Sequence, residues 1–374
     1  MTLVRRSFLK SSAAAALAAA LPTFNFAQTP APAPVLHSNF APQSSGWRTF
    51  EVTTRVDIPN PDGETCLWPP VPSVNSSYQR SLENSFTSNG TAKVMQDGRD
   101  GAKMLYAEFA AGQAQPFVVL TSRVQTQNRN IDWSQKTAPA EDPATLNYFT
   151  RATALIPTDG IVHSTALAAT QGAKSNVEKA QKLYDRIVAN THREPQVRGC
   201  GEGDIKTMLE TANLGGKCAD LNALFVGLCR SVGIPARDVY GLRLAPSAFG
   251  YKELSGNPAS LKGAQHCRAE AYLAGYGWVA MDPADVAKVM RLETADWIKG
   301  TTHPIVAPVN KALFGGWEGN WMAYNTAHDI ALPNSKGEKL GFFMYPMSEN
   351  ASGRLDPYAP DDFKYLITAR EIQV

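Results

Sequence analysis

The stretch GGKCADLNALFVGLCRSVGIPAR, residues 215–237, constrains the fold of this chain more than any other. Its apolar residues recur at three- and four-residue spacing: Leu221, Leu224, Phe225, Leu228 and Val232. This spacing predicts a helix from Cys218 to Val232 with a buried apolar face. Gly233 favours termination of that helix, and Pro235 prevents it from resuming. A cysteine therefore stands in the first turn of a core helix, directly after Gly-Gly-Lys.

The position of Cys218 suits a reactive thiol. Unpaired N–H groups and the helix dipole at a helix N-terminus favour negative charge and lower a thiol pKa. Gly216 leaves room for a substrate backbone, and the first-turn N–H groups are placed to hold a developing oxyanion. Taken alone, Cys218 also fits three other interpretations: a small packed residue, a metal ligand or half of a disulfide. Cys229, inside the apolar run, is predicted to be an inert core thiol.

A nucleophilic cysteine needs a base, and the base needs an orienting partner. The segment HCRAEAYLAGYGWVAMDP predicts two strands around a turn at 274–277. His266 begins the first strand and Asp282 ends the second. A turn centred near Ala274 would place these two residues opposite each other, with Cβ atoms roughly 5 Å apart. A slip of one residue would turn the two side chains to opposite faces of the sheet.

Three blocks, in this order, resemble the core of the transglutaminase-like superfamily: GGKC at a helix start with the exit RSVGIPAR, then HCRAE, then GWVAMDP. The resemblance covers about residues 175 to 290. It implies an α+β fold with a papain-like core, in which a helix bearing Cys packs on an antiparallel sheet bearing His and Asp. By the same resemblance Cys218 is the nucleophile, His266 the general base and Asp282 the orienting acid.

One residue departs from the family pattern. Many members carry an aromatic residue two positions after the His, whereas this chain has Arg268. Strand alternation predicts that Arg268 shares the face of His266, where it would bind a substrate carboxylate or pair with Glu270. Cys267 is predicted to face away from His266. A metal site built from Cys218, His266 and Cys267 is disfavoured for that reason, and we predict no metal and no cofactor.

The resemblance implies acyl transfer from an amide of a protein or peptide substrate, through a thioester, to water or to an amine. The alternative is a catalytically inactive binding or assembly protein on the same scaffold. The complete set of Cys, His and Asp favours the enzyme, because binding alone would not require all three. The set does not distinguish hydrolysis from transfer to an amine.

The N-terminal segment VRRSFLKSSAAAALAAALPTFNFAQ has the layout of an export signal. Arg5 and Arg6 precede an alanine-rich stretch that is too short to span a bilayer in the mature chain. The pair predicts a twin-arginine signal at residues 1–27, recognition by the twin-arginine export machinery, and a periplasmic or secreted protein. A Pro/Ala-rich linker is predicted at 28–45.

Strand-like alternation predicts a β-rich N-terminal domain at 46–150, the core at 151–300 and a β-rich C-terminal region at 301–374. The formal net charge is +2, and the signal alone contributes three cationic residues. The rest of the chain thus gives no electrostatic reason to expect nucleic acid as a partner. The five cysteines are an odd number, so at least one thiol is unpaired within a single chain.

Overall fold

A computed structural model of the chain describes residues 37–373, so the predicted signal at 1–27 and the first part of the predicted linker lie outside the described residues. Among the residues that are described, no helix is both long enough and apolar enough to cross a membrane. The strands, in chain order, are β1 (Arg48–Asp57), β2 (Thr65–Trp68), β3 (Pro70–Val71), β4 (Gln79–Ser88), β5 (Thr91–Gln96), β6 (Lys103–Phe109), β7 (Phe117–Thr126), β8 (Arg129–Asn130), β9 (His192–Arg193), β10 (Gly215–Gly216), β11 (Ala236–Arg243), β12 (Gln265–Leu273), β13 (Gly277–Met281), β14 (Gly316–Trp317), β15 (Trp321–Asn325), β16 (His328–Ile330), β17 (Leu340–Phe342), β18 (Met347–Asn350), β19 (Gly353–Arg354) and β20 (Lys364–Ile372).

The helices, in chain order, are α1 (Pro143–Tyr148), α2 (Gly160–Thr170), α3 (Asn176–Asn190), α4 (Ile205–Glu210), α5 (Cys218–Ser231), α6 (Pro283–Leu292) and α7 (Ala307–Ala312). The capping residue Ser175 accepts a hydrogen bond from the Glu178 N–H at the start of α3. Sequence periodicity predicts α3 and α5 within one or two residues. It does not predict α6, because the Asp-Pro pair at 282–283 reads equally well as a turn.

Three sheets of four or more strands dominate the described part of the chain. The core sheet has the strand order β13-β12-β11-β15, and every neighbouring pair in it is antiparallel. A second antiparallel sheet has the order β20-β1-β7-β4. A third has the order β19-β18-β2-β6-β3, with β5 paired to β6.

The predicted C-terminal region at 301–374 does not form a layer of its own. Strand β20 pairs with β1 from Thr49 to Asp57, and β18 pairs with β2, so both sheets of the N-terminal region are completed by C-terminal strands. Strand β15 joins β11 at the edge of the core sheet. Local alternation identifies strands, but it carries no information on which distant strand will be the partner, and so the boundary at 301 could not anticipate this exchange.

Helix α5 is the centre of the core. Every residue from Cys218 to Arg230 is buried, although the sequence spacing predicts a single buried face. The helix packs against β11 and β12 on one side and against α2, α3 and α6 on the others. A helix that is enclosed on all sides tolerates few polar residues, and those it keeps need internal partners. The polar groups of α5 are therefore informative about the site at its N-terminus.

Candidate active site

The N-terminus of α5 is held in place by backbone pairing and by one carboxylate. The two glycines of β10 pair in parallel with β9, which fixes the chain up to Lys217. The Asp220 carboxylate then accepts the Lys217 N–H at 2.8 Å, and it accepts the Glu202 and Gly203 N–H groups at 2.9 Å each. One side chain in the first turn thus joins the helix start to the preceding loop.

Gly216, which we predicted to leave room for substrate, instead leaves room for Asp220. A Cβ at position 216 would lie 2.6 Å from the Asp220 Cβ, a separation that packed atoms do not tolerate. Gly216 itself is buried, and its carbonyl accepts the Glu194 N–H at 2.9 Å. Its role in the helix cap is enough to explain why position 216 is a glycine.

The loop 198–203 places a second cysteine beside the helix start. Gly201 has a φ of +88°, and a Cβ there would lie 1.8 Å from the Asp220 Oδ2, so only glycine fits. The Cys200 carbonyl accepts the Ala219 N–H at 2.9 Å, and the Cys200 thiol donates to the Gln265 carbonyl at 3.3 Å. Cys200 therefore bridges the first turn of α5 and the strand that carries His266.

Aromatic side chains from the C-terminal region lie over this loop. Tyr345 and Tyr358 meet edge to face with ring centroids 5.1 Å apart. A Cβ at Gly199 would come within 2.1 Å of the Tyr358 hydroxyl, which shows how closely the loop and the tyrosine pack. Beneath these layers Cys218 is only 2% exposed. The thiol is reached from solvent only when part of this cover moves.

His266 lies on β12 in the middle of the core sheet and is 4% exposed. Its partner across the β11–β12 pair is Gly241, whose missing side chain makes space for the Trp321 ring. The Trp321 indole N–H donates to the His266 carbonyl at 2.8 Å. The ring Nε2 lies 2.7 Å from the Asp282 Oδ2, which leaves Nδ1 as the ring nitrogen that this carboxylate does not engage.

The register of the β12–β13 hairpin differs from the predicted one. Ala269 pairs with Met281 and Leu273 with Gly277, so the hairpin is centred on Gly275 rather than on Ala274. The difference shifts the pairing by two residues. Side chains alternate with a period of two, so the two-residue shift keeps His266 and Asp282 on one face as diagonal neighbours.

Asp282 is the N-cap of α6 rather than the last residue of a strand. Its Oδ1 accepts the Asp285 N–H at 3.1 Å and an Asn222 amide N–H at 3.3 Å. Asn222 comes one turn after Cys218 on α5 and also donates to the Cys267 carbonyl at 2.8 Å. The carboxylate is completely buried, and these donors fix its orientation toward the imidazole.

The thiol and the imidazole titrate in opposite directions from their ordinary values. Interactions with the side chains of Cys200 and Cys267 lower the pKa of the Cys218 thiol well below its usual range; burial opposes them, and His266 adds to them. Burial lowers the pKa of His266, but the carboxylates of Asp285 and Asp282 outweigh it and raise the pKa to about 9. Both shifts favour a thiolate–imidazolium pair over the neutral pair.

The other four cysteines differ from Cys218. All five cysteines lie within residues 37–373, and all are free thiols. Burial raises the pKa of Cys66, Cys229 and Cys267, and interaction with Cys218 followed by burial raises that of Cys200. Although Cys267 follows His266 on the strand, its side chain also interacts with Cys218. Only one thiol in the chain has a lowered pKa.

Arg268 is enclosed at 2% exposure, and its binding of a substrate carboxylate stays a prediction. Its guanidinium lies against the rings of Trp317 and Trp321, 5.0 and 4.7 Å from their centroids. It donates to the Glu318 carbonyl at 3.1 Å, and its Nε is 3.4 Å from the Asp282 Oδ2. In this arrangement Arg268 is a counter-ion of Asp282, a role the alternation pattern did not predict.

Glu270, the other predicted partner of Arg268, belongs to a separate ion cluster. The carboxylate is fully buried and pairs with Arg129 and with Arg237, the latter at 2.6 Å. The Arg237 guanidinium stacks on Trp278 at 4.0 Å. This cluster ties the N-terminal region to the core sheet and contains no group that the site uses.

Sequence reasoning missed two charged residues of the site, Asp285 and Arg243. The Asp285 Oδ1 is 3.3 Å from the His266 Nε2 and accepts a hydrogen bond from Arg243. The sequence DPAD carried a signal for Asp285, because an acid three residues after an N-cap points back to the same helix end. No local pattern in the sequence pointed to Arg243, which reaches the site from the C-terminal end of β11.

The ring of His266 and the carboxylates of Asp282 and Asp285 offer three ligand atoms within 4.8 Å of one another. This donor set does not fit a metal ion. Arg243 and Arg268 pair with the two carboxylates, and two guanidinium groups would repel a cation placed between them.

The chain is similar to proteins of one superfamily. Residues 163–283 match the profile of the transglutaminase-like superfamily. An uncharacterized protein of Haemophilus influenzae is 34% identical over 343 residues, which cover 86% of this chain and 91% of that protein. A solved Cytophaga hutchinsonii protein, proposed to be a cysteine protease, is 15% identical with a TM-score of 0.49 and covers 88% of this chain and 99% of its own. The periplasmic domain of TgpA from Pseudomonas aeruginosa is 17% identical with a TM-score of 0.34, covering 65% and 91%.

Proposed function

Because the chain belongs to the transglutaminase-like superfamily, we propose that it is a cysteine enzyme acting on amide bonds of proteins or peptides through a thioester. The observation that carries the proposal is the arrangement of the imidazole: Nε2 is held 2.7 Å from Asp282, and Nδ1 is left for a thiol whose pKa is lowered. The low thiol pKa is what a nucleophile requires, and a buried but inert cysteine would not have it.

In the proposed reaction the Cys218 thiolate attacks the carbonyl carbon of an amide. The tetrahedral intermediate collapses when the C–N bond breaks, and the His266 imidazolium gives its proton to the departing amine. A thioester on Cys218 remains. The neutral imidazole then takes a proton from water or from an acceptor amine, which attacks the thioester and releases the acid or the new amide together with the thiolate.

The oxyanion of that intermediate needs hydrogen-bond donors near the thiol. The Ala219 N–H is already engaged by the Cys200 carbonyl at 2.9 Å. The Cys218 N–H precedes it at the helix start and has no backbone acceptor within residues 37–373. We therefore assign the Cys218 N–H as the first donor of the proposed oxyanion site.

A non-catalytic binding role on the same scaffold is the second candidate, and one observation favours it. Cys218 is 2% exposed, and the Cys200 side chain of the loop 198–203 interacts with its thiol. An enzyme must open this cover during each turnover, whereas a binding protein would keep it closed.

The test is an assay of purified protein against a panel of peptide amide donors, with and without an added primary amine. The proposal expects turnover that is lost in Cys218→Ala; release of acid identifies hydrolysis, and incorporation of the amine identifies transfer. A matched Cys229→Ala variant controls for the loss of a buried thiol. If no donor is turned over and trapping reagents find no thioester on Cys218, the binding role is correct.

We also propose that the chain is exported as a folded precursor by the twin-arginine route. The support is the pair Arg5 and Arg6 ahead of the alanine-rich stretch. Replacing both with Lys is expected to leave precursor in the cytoplasm. Efficient export of the doubly substituted precursor would contradict the twin-arginine route and leave an ordinary secretory signal.

A further inference from the structure

The imidazole of His266 faces two carboxylates rather than one. Its Nε2 lies 2.7 Å from the Asp282 Oδ2 and 3.3 Å from the Asp285 Oδ1. Both carboxylates are buried, with side-chain exposures of 0% and 1%. Water therefore does not screen either charge from the ring, and each carboxylate contributes to the energy of the imidazolium.

The start of α6 brings these carboxylates together. Asp282 is the N-cap, Pro283 occupies the first helical position, and Asp285 follows in the first turn. The Asp285 N–H donates to the Asp282 Oδ1 at 3.1 Å, so the two side chains share one helix end. A helix N-terminus also favours negative charge, which allows two carboxylates to remain close.

Each carboxylate has its own guanidinium. Arg243, from β11, donates to the Asp285 Oδ1 and also to the Leu254 carbonyl at 3.1 Å. Arg268, from β12, lies 3.4 Å from the Asp282 Oδ2. Within this set of four, the two carboxylates and the two guanidinium groups cancel, so the set adds no net charge to an ion pair of the thiol and the imidazole. Without Asp285, Arg243 would lose its own carboxylate partner and would oppose the imidazolium, leaving Asp282 as the carboxylate beside the ring.

The ionisable groups around the ring come from every element that packs against it. Asp282 and Asp285 face it from α6, Arg243 from β11 and Cys218 from α5, while Arg268 shares its strand. Burial raises the pKa of Asp285, but Arg243 and then His266 outweigh burial and hold it well below its usual range. Burial and the Asp285 charge raise the pKa of Asp282. Asp285 is thus the carboxylate that stays ionised to lower pH than Asp282.

We propose that Asp285 is a positioning residue of the site: held as an anion by Arg243, it keeps the His266 imidazolium, and through it the Cys218 thiolate, in the ionised form. Asp282 supplies the directional hydrogen bond, and Asp285 supplies the permanent charge. The inference rests on the proposed function, since it assigns a role toward the same thiol.

The test follows two pH titrations in the full chain: the ring resonances of His266 by NMR, and the rate of Cys218 alkylation by peptide mapping. Asp285→Asn keeps the shape of the side chain and removes its charge. We expect the His266 pKa to fall by about one unit or more, toward its ordinary value. The midpoint of Cys218 labelling should rise correspondingly, and Asp285→Glu should restore both in part.

Arg243→Gln supplies the opposing variant. Removing this cation while keeping Asp285 is expected to raise the His266 pKa, because Arg243 lowers it in the wild type. A purely structural Arg243–Asp285 pair would give no such opposite shifts. Asp238→Asn is the matched control, since Asp238 is another buried carboxylate, 3.3 Å from His328, and its loss should leave the His266 pKa unchanged.

Unchanged His266 and Cys218 titrations in folded Asp285→Asn would overturn the inference. If that variant does not fold, a fall or no change of the His266 pKa in Arg243→Gln overturns it equally. Failure of the proposed function would appear in the wild-type protein instead, where Cys218 would label with the pH dependence of an ordinary thiol.

Discussion

Cys218 and Cys229 lie on the same helix, about three turns apart, and they are buried to nearly the same extent, at 2% and 0% exposure. Yet the pKa of Cys218 is lowered well below its usual range, while burial raises that of Cys229. Burial is therefore common to both thiols and cannot explain the difference. What differs is the end of the helix at which each one stands and the groups that face it.

Cys218 occupies the first turn of α5, where free N–H groups and the helix dipole favour a thiolate. It faces His266 and two further thiols. Cys229 lies near the C-terminal end of the same helix, where the dipole opposes negative charge, and Arg230 is its sole charged neighbour with an effect on its pKa within the described chain. A cysteine in a core helix is thus informative about chemistry only when its place along the helix is known.

The largest expected effect separates the two thiols by activity. Cys218→Ala should reduce amide turnover by about a thousand-fold or more, because the acyl intermediate has no other attachment point. Cys229→Ala should leave turnover within about twofold and cost about 1 kcal/mol of unfolding free energy through a small cavity. Steady-state kinetics and denaturant unfolding measure the two quantities. Equal loss of turnover in both variants would remove the distinction between the thiols.

A second effect concerns the proton that His266 holds. Its pKa of about 9 lies above neutral, so the ring is protonated at pH 7 and loses its proton as the pH rises through about 9. Turnover should then fall about tenfold per pH unit on the alkaline side, because the departing amine no longer receives a proton. A pH–rate profile in wild type and in the Cys229→Ala control should show the same limb. A fall in turnover centred near pH 6.5 in both proteins would show that Asp282 and Asp285 do not raise the pKa of His266.

A smaller effect tests how the start of α5 is held. Asp220→Ala leaves three backbone N–H groups without their acceptor and should cost about 2–4 kcal/mol of unfolding free energy. Asp204→Ala removes a comparable cap from α4, nearer the surface, and should cost about 1 kcal/mol. Since Asp220 also anchors the loop over the thiol, its loss should speed Cys218 labelling while Cys229 stays protected. Equal labelling of Cys218 in both variants would count against this loop as its cover.

The part of the site that sequence reasoning predicted is the part that local patterns encode. Apolar spacing predicted the position of Cys218 at a helix start, and period-two alternation placed His266 and Asp282 on one face despite a hairpin centre off by one residue. An even register shift preserves the face, which is why the prediction survived the error.

The missed part depends on pairing between distant segments. Arg243 reaches Asp285 only because β11 lies beside β12 and α6 follows β13, and no local pattern reports such neighbours. The enclosure of Arg268 was also missed, because alternation gives the face of a side chain but not what covers it, here Trp317 and Trp321 from the C-terminal region. Local sequence patterns give the direction of a side chain, whereas its accessibility depends on segments that pack over it from elsewhere.

We infer that Cys218 is a thiolate because Cys200, Cys267 and His266 face it at the N-terminal end of the helix. The most direct test of this claim is alkylation of the folded chain with a small reagent across a pH series, read by peptide mapping. Opening of the loop multiplies the alkylation rate of Cys218 by the same factor at every pH. The midpoint of the pH profile therefore reports the pKa of the thiol. We predict a Cys218 midpoint well below the ordinary value of about 8.5, a rise of that midpoint in His266→Ala, and no labelling of Cys229 before unfolding. A Cys218 midpoint near the ordinary value, or one that His266→Ala leaves unchanged, would contradict the claim.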